Sequence, residues 1–182
     1  AHLIEGDTVK GNCQTCQAMG LYYGCFEKDE EPAALEKLIE LCEQKDMHFD
    51  TGVLGGRVLY EALSKYGRSD LALKMILNPS FPSYANYAAG DVSTLPEWFL
   101  SEPRPTASYN HHFWGFISGW FYRQLGGIKI PEREISPYFA METDFVNATV
   151  DGISVKWSRQ HGKIILKIVT DRQMTLKIRD NY

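Results

Sequence analysis

Four stretches in the first half of the chain repeat apolar residues at intervals of three and four, the spacing that gathers them on one helical face. The clearest covers residues 31–42, where Leu35, Leu38, Ile39 and Cys42 align and Pro32 suits a first helical turn. A shorter helix is expected over 13–23, closed by Gly24 as a C-cap. A third runs over 54–66 and stops at Gly67. A fourth covers 69–77, with Ser69 as its cap and Asn78-Pro79 as its stop. Short connections between helices of this length are what antiparallel helix pairs around a ring or bundle require.

The pattern then changes twice. Residues 80–108 are rich in Pro, Tyr, Ser and Gly and carry little helical period, which marks a functional loop with room for a short hairpin. A further helix is expected over 110–124, with Phe113, Phe116, Trp120 and Phe121 as an aromatic face and Gly126-Gly127 as its end. From Ile128 onward the signals are those of strands. Residues 148–157 alternate around Asp151-Gly152, a hairpin-turn dipeptide, and further strands are expected over 163–169 and 174–178. The chain is therefore mainly α, with a small β tail too short for a seven-stranded sandwich of its own.

Composition narrows the classes of function. A hydrophobic fraction of 44% with 23% charged residues suits a chain that buries a core rather than a disordered one. The net charge of −4 gives no electrostatic reason to expect nucleic acid or an anionic membrane as partner. No apolar run approaches the ~18 residues of a membrane-spanning helix. Aromatic residues concentrate between Phe81 and Tyr122, and aromatic faces in a cleft suit a sugar site, although core packing uses the same residues. Cys13, Cys16, Cys25 and Cys42 all fall in the first quarter. Cys13 and Cys16 form a C-x-x-C, which invites a zinc or redox reading, but no second pair follows at zinc-site spacing, and the four read as buried structural thiols. No metal and no cofactor is expected.

Three segments together carry a resemblance. The first is His48-Phe49-Asp50-Thr51-Gly52-Val53-Leu54-Gly55-Gly56, followed by Gly67-Arg68-Ser69-Asp70. The second is Phe81-Pro82-Ser83-Tyr84, then Gly90 and Ser93-Thr94-Leu95-Pro96-Glu97-Trp98. The third is Ser108-Tyr109-Asn110-His111-His112-Phe113-Trp114-Gly115, leading to Gly119-Trp120-Phe121-Tyr122 and Leu125-Gly126-Gly127-Ile128. In this order and spacing they resemble the α-L-rhamnosidases of glycoside hydrolase family 78, and Val9-Lys10-Gly11-Asn12-Cys13-Gln14-Thr15 resembles a further family segment. The resemblance implies the latter half of an (α/α)6 barrel over residues 1–128 and a small C-terminal β-sandwich-like domain over 129–182. It also implies that the first half of the barrel belongs to the same polypeptide ahead of Ala1, as does the general acid, so that the chain alone would be inactive.

The implied reaction is inverting hydrolysis of terminal α-L-rhamnose from an oligosaccharide or glycoside. Inversion needs one carboxyl to protonate the leaving oxygen and another to activate water on the opposite face, roughly 6.5–9.5 Å apart. Glu97 matches the family's general base, and it is also the only carboxylate between Thr94 and Trp98 in the aromatic, Pro-rich loop. His111 matches a family residue that contacts rhamnose, where imidazole supplies both a donor and an acceptor; helix capping is the plainer alternative. His111 and His112 are consecutive, so on a helix they point about 100° apart and are poorly placed to share one ion. Trp98, Tyr109 and Trp114 are candidates to line the pocket, where an apolar wall suits the 6-deoxy methyl group. Trp114 and Trp120 lie on different faces of the expected helix, so at least one belongs to the core. Asp50 and Thr51 are weaker candidates at the barrel mouth.

Two departures from the commonest family pattern, Asn12-Cys13 and Gly90-Asp91-Val92-Ser93-Thr94, fall near the implied pocket. A non-catalytic or degenerate carbohydrate-binding relative is the alternative reading. A lyase or uronyl hydrolase on a similar barrel is disfavoured, because binding anionic sugars calls for basic residues and 93–112 offers only Arg104.

Overall fold

The structure is a computed structural model that describes residues 3–90, 93–99 and 108–178. The chain divides into two compact units, residues 1–116 and 117–182.

The first unit opens with a two-stranded antiparallel hairpin, β1 (Ile4–Glu5) and β2 (Thr8–Val9). Helices follow: α1 (Gln14–Tyr22), α2 (Glu31–Glu43), α3 (Val53–Lys65) and α4 (Ser69–Ile76), then the one-turn α5 (Tyr84–Ala88). The four long helices stand where the apolar spacing places them. Two details differ. Ser69 lies in the first turn of α4, with Arg68 at the cap position. Within the stretch expected to be irregular, Ser83 starts α5 by accepting a hydrogen bond from the Asn86 N–H at 2.9 Å. Five residues are too few to show a helical period.

α1 packs against both α3 and α2, burying Ala18 and Leu21 together with two glutamines. Those amides are fully used. Gln14 donates to the carbonyls of Leu41 (3.3 Å) and His48 (2.9 Å) and accepts from the Asp50 N–H (2.7 Å). Gln17 donates to Asp7 (2.6 Å) and Ala34 (3.0 Å) and accepts from the Val9 N–H (2.9 Å). Each amide thereby ties α1 to backbone groups of neighbouring segments, which makes its own burial tolerable.

In the second unit, α6 (Phe116–Gln124) leads to β3 (Ile128–Lys129) and β4 (Glu134–Ile135), an antiparallel pair that β8 (Thr175–Leu176) joins parallel to β4. β5 (Phe145–Val150), β6 (Ile153–Gln160) and β7 (Lys163–Val169) form an antiparallel meander. Asp151 and Gly152 have φ of 49° and 76° and turn β5 into β6, as expected of that dipeptide; His161 and Gly162, at 50° and 74°, do the same for β6 and β7. Alternate residues Ile153, Val155 and Trp157 face inward onto Ile128, Ile135 and Phe139. The Trp157 indole donates to the Leu125 carbonyl at 2.8 Å and meets Phe139 edge to face, with ring centres 5.3 Å apart. Gly127 is needed here, since it has φ of +68° and a Cβ there would collide with the backbone of Ser136 and Pro137.

Glu134 is the charged member of this core edge. Its side chain is largely covered and meets Lys129 (3.0 Å), the Ser136 hydroxyl (2.7 Å) and Lys177. Hydrogen bonds from Lys177 and then Ser136, with Lys129 beside them, hold its pKa down to about 2, against the opposing effect of burial. A depressed pKa contributes stability above the ordinary value of 4.5 that is lost as pH falls toward 2. The expected outcome is a fall in urea stability across that window. Glu134→Gln removes ~1–2 kcal/mol of it, the discount reflecting solvent screening of the lysines.

Candidate functional site

The segment carrying Glu97 is held by backbone pairing with the segment carrying His111. The Glu97 N–H donates to the Ser108 carbonyl (2.8 Å), the His111 N–H donates to the Leu95 carbonyl (2.8 Å), and the Thr94 hydroxyl bonds the Tyr109 carbonyl. The two segments thus close the neck of the loop between them. Pro96 is buried at this neck, with Glu97 half-buried and Trp98 exposed beside it.

Trp114 lies beneath. It sits in a 3-10 turn, His112–Gly115, that precedes α6, so the expected helix over 110–124 begins as a tighter turn. Its side chain is 2% exposed, and its indole N–H donates to the Glu97 carbonyl at 3.0 Å. Around it lie Phe49 (5.2 Å between ring centres), Phe99 (5.0 Å, interplanar angle 89°) and Tyr84 (6.4 Å). The Tyr84 hydroxyl donates to the Trp114 carbonyl at 2.9 Å, and burial pushes that phenol's pKa up, so it stays a neutral donor. Gly56 of α3 makes the approach feasible, since a Cβ there would lie 2.8 Å from the Trp114 ring. The Thr51 and Tyr60 hydroxyls are buried in the same unit without a hydrogen-bond partner among the described residues.

His111 caps the 3-10 turn. Its Nδ1 faces the Phe113 N–H at 3.4 Å, an acceptor role that puts the proton of the neutral ring on Nε2. Its ring packs on Phe113 (3.8 Å) and stacks with His112 (5.2 Å). Capping and ligand contact are compatible, because among the described residues only Nδ1 is engaged. Among the described residues no group of three His, Cys, Asp or Glu side chains could hold a metal ion.

The structure therefore brings Glu97, Tyr109, His111 and Trp114 to one neck, with Trp98 adjoining. Trp98 and Tyr109 present 52% and 43% of their surface to solvent, whereas Trp114 offers its indole to the Glu97 backbone from below. Asp50 points its carboxylate to Lys45 at 2.8 Å on the surface. Arg104 lies outside the described residues. Phe49, Tyr84 and Phe99 had no assigned role in the sequence reading, although Phe49 and Tyr84 stand within two of the segments that carry the resemblance.

Comparison with known proteins decides the family. Residues 1–125 match the model of the bacterial α-L-rhamnosidase six-hairpin glycosidase domain. The chain belongs to that family. An α-L-rhamnosidase of Formosa agariphila is 30% identical over 85% of this chain and 18% of its own length. One of an Alteromonas species is 29% identical over 84% and 18%. The chain thus spans about a fifth of the length of the curated relatives it matches. The crystal structure of the Streptomyces avermitilis α-L-rhamnosidase complexed with L-rhamnose shares the fold, with a TM-score of 0.87 at 24% identity over 98% of this chain and 19% of that one. The family match contains every residue of the neck and its aromatic floor.

Two substitutions separate the roles at the neck. Trp114→Phe keeps a ring in the floor but leaves the Glu97 carbonyl without its donor. It should cost ~1–2 kcal/mol in urea denaturation and speed protease cleavage between 93 and 111. Trp98→Ala, at an exposed position, should cost about 0.5 kcal/mol or less.

Proposed function

We propose that this chain supplies the general-base side of an inverting α-L-rhamnosidase site, as the latter half of an (α/α)6 barrel with a small sandwich-like β domain from about residue 129. The observation that carries the reading is the double anchoring of Glu97, by Ser108 on its N–H and by Trp114 on its carbonyl. A general base works when its position relative to the attacked carbon is held, because misplacement by an ångström is costly. Family membership supports the rest.

In this reading the Glu97 carboxylate takes a proton from a water molecule, and the water oxygen attacks the anomeric carbon from the face opposite the leaving group. The C–O bond to the leaving oxygen breaks as a carboxylic acid protonates it, with inversion at carbon. That acid lies in a part of the polypeptide outside residues 1–182, so the isolated chain turns over nothing. His111 donates through Nε2 to a sugar hydroxyl. Trp98 and Tyr109 offer apolar ring surface to the sugar's C–H face and its methyl group. The substrate is a rhamnose-terminated glycoside or oligosaccharide. Among the described residues no helix is long and apolar enough to cross a membrane.

The test is Glu97→Gln in the full-length protein with an aryl α-L-rhamnoside. kcat should fall by ~1,000-fold or more, with KM little changed. A loss under about tenfold removes Glu97 from the role and favours a carbohydrate-binding relative without catalysis.

A further inference from the structure

The four cysteines are not equivalent, and three of them are not buried. Only Cys42 is enclosed, and burial pushes its thiol up to about 12, out of reach of thiolate chemistry. Cys25 is exposed, while Cys13 and Cys16 are half-exposed.

Cys13 is the N-cap of α1. Its backbone is extended (φ −142°, ψ 160°), and its Sγ accepts the Cys16 N–H at 3.4 Å. The Cys16 thiol in turn hydrogen-bonds to Cys13, which raises its pKa and keeps the proton on Cys16. A second observation fixes the juxtaposition independently. A Cβ at Gly11 would strike the Cys16 Sγ and come within 3.9 Å of the Cys13 Sγ, so both sulfurs lie over one bare glycine. Cys16 also lines a groove of about 640 Å³, together with Leu3, Ile4, Val9, Met19 and Cys25. The Cys13 sulfur sits at the start of α1, where the exposed N–H groups of a helix face it.

We propose that Cys13 and Cys16 form a redox-active dithiol that closes to a disulfide by exchange with a small-molecule disulfide. Cys13 gives its proton to solvent and its sulfur attacks one sulfur of the oxidant; that S–S bond breaks and a first thiolate leaves, to be protonated by water. The Cys16 thiol gives its proton to solvent, and its sulfur attacks Cys13 in the mixed disulfide, expelling a second thiolate. Two protein thiols are oxidised and one disulfide is reduced to two thiols. Four cysteines allow three pairings in principle. Contact selects Cys13 with Cys16, and Cys25 stays free. This site is separate from the Glu97 neck, and the proposal does not depend on the hydrolase reading.

The test uses the full-length reduced protein, glutathione disulfide, acid quench and peptide mass spectrometry. The tryptic peptide from Gly11 to Lys28 carries Cys13, Cys16 and Cys25, and its fragment ions separate the pairings. The expected result is loss of two hydrogens located to Cys13 and Cys16 and reversed by dithiothreitol. Cys16→Ser should stop at a glutathione adduct on Cys13. Cys13→Ser, in which serine keeps the helix cap, should form a glutathione adduct on Cys16 ~10-fold or more slowly than Cys16→Ser forms one on Cys13. Cys25→Ser should close the crosslink at the wild-type rate. Three results would overturn the proposal: a Cys16–Cys25 crosslink, no adduct on Cys13 in Cys16→Ser, or both thiols persisting in the wild-type peptide.

Discussion

The hydrogen bond from the Trp114 indole to the Glu97 carbonyl is the contact on which the arrangement of the site depends. It joins a loop carrying a carboxylate to a ring held by Phe49, Phe99 and Tyr84. A loop is an unreliable place for a catalytic group unless something rigid supports it. Here the support is a side chain 2% exposed, with one polar atom and one partner for it. The backbone bonds at Ser108 and Leu95 hold the loop in one dimension, and Trp114 holds it against the floor.

That floor in turn rests on the packing of the helices. Gly56 lets the indole lie directly against α3, although a glycine in a helix costs about 1 kcal/mol relative to alanine. Phe49 is placed by its neighbours: Gln14 of α1 accepts the Asp50 N–H and donates to the His48 carbonyl. The first turn of α1 therefore clamps the strand of chain that delivers Phe49 to Trp114. A buried amide is a directional link, which an apolar side chain of the same size would not provide. The half-exposed dithiol of Cys13 and Cys16 belongs to that same turn.

How much of this was legible in the sequence varied with the range of the interaction. Leu38, Ile39 and Cys42 revealed α2 because helical burial is periodic, and Asp151-Gly152 revealed its hairpin because the turn demands residues that accept positive φ. Glu97 and His111 could be named as candidates from the segments around them, but the backbone pairing that brings those two segments together could not. The purpose of Trp114 could not, since an aromatic residue at helical spacing serves core and pocket equally well; both it and Trp120 are buried. The parallel pairing of β4 with β8 joins residues some forty apart and leaves no local trace. The exposure of Cys13 and Cys16 was hidden for a related reason, because it follows from an extended cap residue over Gly11 rather than from the helix pattern that suggested burial.

The central claim is that Glu97 delivers the nucleophile from the face opposite the leaving group. Removing the carboxylate and adding a small anion addresses that directly. With Glu97→Ala in the full-length protein, an aryl α-L-rhamnoside and sodium azide, proton NMR of the product reports both the rescue and the face of attack. The account predicts that azide restores turnover and that the product is the β-L-rhamnosyl azide, formed with inversion. An α-configured azide adduct, or turnover in Glu97→Ala that needs no azide, would contradict it.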